Sequence, residues 1–113
     1  MKANKLVIVW LSADKQAAID MAMLYARDSI INRWWSEVEL VLWGPSVEAA
    51  AESEAVQGEL SILMNIGVGV AACQACALRY GVIGKLKDLG IEVRGMSEQL
   101  TEYLRNNFPV IFI

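Results

Sequence analysis

The stretch Val68-Gly69-Val70-Ala71-Ala72-Cys73-Gln74-Ala75-Cys76-Ala77-Leu78-Arg79-Tyr80-Gly81 decides how the chain is read. Its first five residues are small or β-branched, as in a short buried strand. The residues after them suit a helix, which Gly81 interrupts. A cysteine stands at the junction. Backbone N–H groups at a helix start lack intrahelical partners, and the dipole there favours negative charge. The sequence therefore predicts a stabilised thiolate and a lowered pKa for Cys73. Cys76 follows about one helical turn later, within reach of the first sulfur. These are the only cysteines in the chain.

On the amino-terminal side, Leu6-Val-Ile-Val-Trp-Leu11 and Val38-Glu-Leu-Val-Leu-Trp43 are continuous apolar runs. Such runs mark parallel strands buried on both faces. Ser12 is expected to cap a helix running to about Ile31, with Asp14 in its first turn and Ala18, Met21, Ala22 and Tyr25 as its apolar stripe. Trp34 and Trp35 fall in the next connection, where two aromatic residues serve as core cover or a subunit contact more readily than as a ligand platform. Gly44-Pro45-Ser46 ends the second strand. An Ala-rich helix over 46–53 and another from Glu54 to Asn65 come next, the latter with Val56, Leu60, Leu63 and Met64 on one face and a cap at 65–67. On the carboxyl side the sequence predicts a helical piece over 84–88 and a turn at Gly90. A strand over 91–94, a helix capped by Ser97 and carrying Leu100, Tyr103 and Leu104, and a terminal strand over 109–113 complete the chain.

Strands alternating with helices at this spacing predict one domain, residues 1–113. The expected fold is a three-layer α/β/α, flavodoxin-like arrangement with a parallel sheet of about five strands. In open sheets of this kind ligands bind beyond the carboxyl ends of the strands. Ser12, Asp14, Trp43, Gly44 and Met96 lie there with the cysteines and are candidates to line a site, although Trp and Met at strand ends also serve as core.

The chain has 113 residues, 56% of them hydrophobic and 20% charged, with a net charge of −3 and no histidine. The apolar excess points to a doubly covered sheet or a surface buried in an oligomer. Direct nucleic-acid binding is disfavoured, since phosphate neutralisation needs clustered Lys and Arg. No apolar run approaches the roughly 20 residues that span a bilayer, and Leu6–Leu11 is too brief for a signal peptide. A cytoplasmic location without membrane association is expected. The missing histidine removes Ser–His and Cys–His dyads and His-ligated metals. There is no Gly-rich phosphate fingerprint after the first strand. No cofactor or metal is expected.

Several readings of Cys73-x-x-Cys76 stay open at this point. A structural zinc site needs four ligands, and one chain supplies two. The cysteines can pack as inert small hydrophobes. They can form a dithiol–disulfide couple, although no Trp precedes Cys73 and no Pro stands between the two. Arg79 lies about a turn and a half past Cys73 and points elsewhere on the helix, as a solvated or interface residue.

Gly67-Val-Gly-Val-Ala-Ala-Cys73, Ala77-Leu-Arg-Tyr-Gly81-Val and Leu86-Lys-Asp-Leu-Gly90-Ile, together with Trp43-Gly-Pro45 and Leu100-Thr-Glu-Tyr-Leu104, resemble the DsrE family of small sulfur-relay proteins, including its TusD-type subunits. The resemblance covers essentially the whole chain. It implies an α/β/α domain assembled as a homo-oligomer, a trimer or hexamer, with sulfur-donor and sulfur-acceptor proteins as partners. It also implies a persulfide carried on the junction cysteine, here Cys73. Cys76 stands where those members have a small residue, and Tyr80 where they have Arg, so neither inherits a family role. A thiol–disulfide couple of Cys73 and Cys76, or a non-catalytic oligomeric or regulatory module, are the alternatives.

Overall fold

A computed structural model describes residues 4–113. Five strands, β1 (Lys5–Trp10), β2 (Glu37–Leu42), β3 (Gly69–Cys73), β4 (Glu92–Arg94) and β5 (Val110–Phe112), form one sheet in the order β4-β3-β2-β1-β5. Every adjacent pair is parallel. The expected five-stranded α/β/α sheet is therefore the one observed.

The strand order dictates how the two faces are covered. From β1 to β4 each crossover steps the same way along the sheet, so right-handed connections put all the intervening helices on one face. These are α1 (Lys15–Ala17), a π-helical stretch (Ala18–Met23), α2 (Leu24–Ile31), α3 (Ser46–Glu52), α4 (Glu54–Asn65), α5 (Gln74–Tyr80) and α6 (Ile83–Asp88). The return from β4 to β5 runs the other way, which sends α7 (Met96–Arg105) to the opposite face by itself. The packing agrees. Leu6, Ile8, Trp10, Leu40, Leu42, Val70 and Ala72 meet the helix-rich layer. Val7, Val9, Val41, Ala71 and Cys73 meet only Met96 and Tyr103 of α7 with flanking residues.

Three local expectations are corrected. Asp14, not Ser12, caps the first helix: its carboxylate accepts from the Ala17 N–H at 2.9 Å, while Ser12 Oγ accepts from the Asp14 N–H and from Trp10 Nε1. The π-helical stretch adds a residue to the turn and rotates the remainder of the helix about its axis. The buried positions are consequently Ala18, Ala22, Met23, Ala26 and Ser29. Met21, 57% exposed, and Tyr25 instead wall a surface groove of about 530 Å³ with Leu24, Trp35, Ile111 and Ile113. The last helix starts at Met96 after Gly95 with no side-chain cap, and Ser97 lies inside its first turn. Of the adjacent tryptophans, Trp35 packs against the core and Trp34 is exposed. Among the described residues no helix is long and apolar enough to cross a membrane.

Candidate functional site

Neighbouring β3 and β4 send their chains to opposite faces, β3 into α5 and β4 into α7. This parting of connections is the place where open parallel sheets leave a crevice. Cys73 and Arg94 are register partners at its edge.

Cys73 ends β3 and caps α5, its Sγ accepting the Cys76 N–H at 3.4 Å. The thiol is 5% exposed and sits in the apolar cluster with Ala71 and Met96. Cys76, in the first turn of α5, is partly exposed and touches both core clusters. Its Sγ accepts the Gly44 N–H at 3.2 Å. Both cysteines are free thiols.

Gly44 owes this position to its neighbours. Its φ is +73°, and a Cβ there would stand 3.3 Å from the Leu11 carbonyl oxygen, so only glycine fits without strain. The Trp43 N–H donates to the Trp10 carbonyl at 3.1 Å. The buried Ser46 hydroxyl lies 2.7 Å from the same oxygen and 3.1 Å from the Trp43 carbonyl. The ends of β1 and β2 are thus tied together, and the loop aims the Gly44 amide at the second sulfur.

Burial pushes the Cys73 thiol above its ordinary pKa, and the hydrogen bond to Cys76 adds to the rise. The N–H groups of Cys76 and Ala75 act the other way without offsetting it. The lowered pKa expected from the strand-to-helix junction is therefore corrected: desolvation within the α7 cluster outweighs the donors at the start of a short helix.

Gly44 reaches Cys76 through its N–H, and Trp43 and Met96 belong to the apolar cluster that holds Cys73. Ser12 and Asp14 make their hydrogen bonds to each other, to Trp10 and to Ala17 rather than to sulfur. Arg79 is exposed in the last turn of α5. Among the described residues no group of three or more His, Cys, Asp or Glu is arranged to hold a metal.

No protein-family model and no curated protein matches the chain. It is similar to a solved structure, the conserved protein of unknown function BT1422 from Bacteroides thetaiotaomicron. Identity is 36% over 97% of this chain and 95% of that one, with a TM-score of 0.94. The chain belongs to that protein's family. It shares the fold, at 18% identity in each case, with two further solved structures. One is the protein of unknown function MTH1491 from Methanobacterium thermoautotrophicum, with a TM-score of 0.78 over 99% of this chain and all of that one. The other is the E. coli ychN protein, with a TM-score of 0.66 over 99% of this chain and all of that one.

A second polar constellation lies under α7, centred on Glu39 of β2 and Lys5 at the start of β1, with Arg94 reaching it from the carboxyl end of β4. Glu39, 6% exposed, is hydrogen-bonded to Arg94 through Oε1 and to the Tyr103 hydroxyl through Oε2. Lys5 Nζ stands 3.0 Å from Glu39 Oε2 and 4.5 Å from the centre of the Tyr103 ring. Glu37 and Glu92 complete the ion pairs of Lys5 and Arg94 at 3.0 and 2.9 Å. The one signal for this cluster in the sequence is a carboxylate in the middle of Val38-Glu39-Leu40-Val41-Leu42. In a strand buried on both faces, such a charge requires a cation from another element, here Lys5 of β1 and Arg94 of β4.

Proposed function

We propose that this is a DsrE-like sulfur-relay protein in which the Cys73–Cys76 pair takes a sulfur atom from a donor persulfide and yields it to an acceptor thiol. The observation that carries the reading is the contact of two free thiols at the parting of β3 and β4, each sulfur with a backbone N–H on it. The chemistry asks for nothing the chain lacks. A thiolate attacks the outer sulfur of R–S–SH, the S–S bond breaks, and R–S⁻ leaves with the electron pair and picks up a proton. The acceptor thiolate then attacks the outer sulfur of the protein persulfide, and the cysteine leaves as thiolate. The sulfane sulfur keeps its oxidation state throughout, so no oxidant, metal or cofactor takes part.

In this reading Cys73 is the carrying position, by its match to the family's junction cysteine. The protein works in the cytoplasm as a homo-oligomeric trimer or hexamer. Oligomerisation is supported by the exposed apolar groove of Met21, Leu24 and Tyr25 beside the open edge of β5. Donor and acceptor are proteins, and Leu78, 71% exposed on the helix of the thiols, offers them an apolar contact. The proximity of the thiols also favours a dithiol–disulfide couple, the second reading.

Intact-protein mass spectrometry after incubation with a cysteine desulfurase and cysteine separates the two. The relay predicts a reductant-labile gain of one sulfur atom that is absent from the Cys73→Ser, Cys76→Ser double variant. A loss of two hydrogens on mild oxidation, with no sulfur gained, would establish the couple in its place. Light scattering tests the assembly, and a monomer counts against it.

A further inference from the structure

The two thiols differ in what can reach them. Cys73 is buried among Ala71, Met96 and Trp43 beneath α7. Cys76 lies where the two core layers meet, partly open to solvent, with the Gly44 N–H already on its sulfur. A donor arriving from solution meets Cys76 first, and charge developing on that sulfur meets a fixed donor that needs no rearrangement. We infer that Cys76 is the receiving thiol and Cys73 the inner thiol to which it hands the sulfur; the assignment rests on the relay reading above.

The transfer takes two balanced steps. The Cys76 thiolate attacks the outer sulfur of the donor persulfide, giving Cys76–S–SH and the donor thiolate. Cys73, as thiolate, then attacks the outer sulfur of Cys76–S–SH. The S–S bond to Cys76 breaks, the Cys76 sulfur leaves with the electron pair, and it takes the proton that Cys73 gave up. The two thiols stand within one helical turn of each other, so that proton has a short way to travel. Burial keeps Cys73 in the thiol form until the sulfur arrives, and afterwards shields the persulfide from reductants in solution.

The test has two arms. In the first, reduced wild-type protein is treated with limiting iodoacetamide, and the labelled cysteine is located by peptide mass mapping. Cys76 is expected to react at least about tenfold faster than Cys73. In the second, wild type, Cys73→Ser and Cys76→Ser are loaded with sodium polysulfide and followed by intact mass. Cys76→Ser is expected to slow uptake by about tenfold or more. Cys73→Ser still takes up sulfur, and mapping finds it on Cys76. Labelling of Cys73 first, or rapid uptake in Cys76→Ser, overturns the assignment. If wild type takes up no sulfur at all, the relay reading falls and the receiving role falls with it, whatever the labelling order.

Discussion

The sparse face of the sheet carries two polar sites, and they are built in opposite ways. In the one centred on β2, both oxygens of Glu39 are engaged, by Arg94, Tyr103 and Lys5, and the two cations have further carboxylates in Glu92 and Glu37. At the carboxyl ends each sulfur has one backbone N–H. A buried carboxylate with both oxygens held by neighbouring donors acts as framework, although the Arg94 Nε beside it has no partner among the described residues. A thiol pair with few partners and one face toward solvent retains its reactivity.

The largest expected effect lies on the framework side. Glu39→Ala leaves Lys5 and Arg94 without their shared buried partner and should cost about 3–5 kcal/mol of stability in urea unfolding. An unchanged midpoint would mean that saturation of this carboxylate does not make it structural, and the contrast would lose its first half. Tyr103→Phe keeps the ring under Lys5 but removes a hydroxyl bonded to an ionised group, a loss of about 1.5–3 kcal/mol. Neither change should alter the order in which the thiols react with iodoacetamide.

At the thiol end the expected cost in stability is smaller and the chemical consequence larger. Gly44→Ala forces an L residue into left-handed backbone against the Leu11 carbonyl, which costs about 1–2 kcal/mol. It also moves the N–H off Cys76 and should slow alkylation there. Gly67→Ala is the control: φ is +103° with nothing within 4 Å, so the strain is similar and the thiols are left alone. Equal slowing in both variants would show that general loosening, not the Gly44 amide, governs Cys76.

The framework also sets a response to alkali. Burial works against the charge on Lys5, but its bonds to Glu39 and Glu37 more than compensate and raise its pKa. Burial and then Glu39 raise that of Tyr103. Both groups hold their protons more tightly folded than unfolded. The stability they contribute is complete below their ordinary values of 10.0 and 10.5, and it is lost as pH climbs past them toward the folded values. Lys5 is partly exposed, so solvent screening keeps the effect near about 1 kcal/mol. The thermal unfolding temperature should therefore fall more steeply above about pH 10 in wild type than in Glu39→Gln.

Much of this architecture is legible in the chain and some is not, for physical reasons. The runs at Leu6 and Val38 read as strands because both faces are buried, and Glu54–Asn65 reads as a helix because Val56, Leu60 and Leu63 share a face. Strand order is invisible, since long crossovers permit several. The order is what leaves α7 alone on its face and thereby buries Cys73 rather than Cys76. Junction geometry alone therefore misses the desolvation that raises the Cys73 pKa. The π-helical stretch is also silent in the sequence: Met21 and Tyr25 keep helical spacing, and only the widened turn moves them to the surface groove.

Arg79 provides the smallest effect and the sharpest check on what controls the thiols. It is the nearest cation to them along the chain, yet it is exposed at the last turn of α5, where its charge complements the helix end. Cys76 is its i−3 neighbour, but water around the exposed guanidinium keeps such a surface interaction small. Arg79→Ala should therefore change stability by no more than about 0.5 kcal/mol and leave the alkylation rates of both cysteines as they were. A severalfold fall in Cys76 labelling would mean that charge reaching along the helix, rather than the Gly44 amide and the burial of Cys73, sets the reactivity of the pair. The difference between the two sites would then lie in long-range field and not in how many partners each group has.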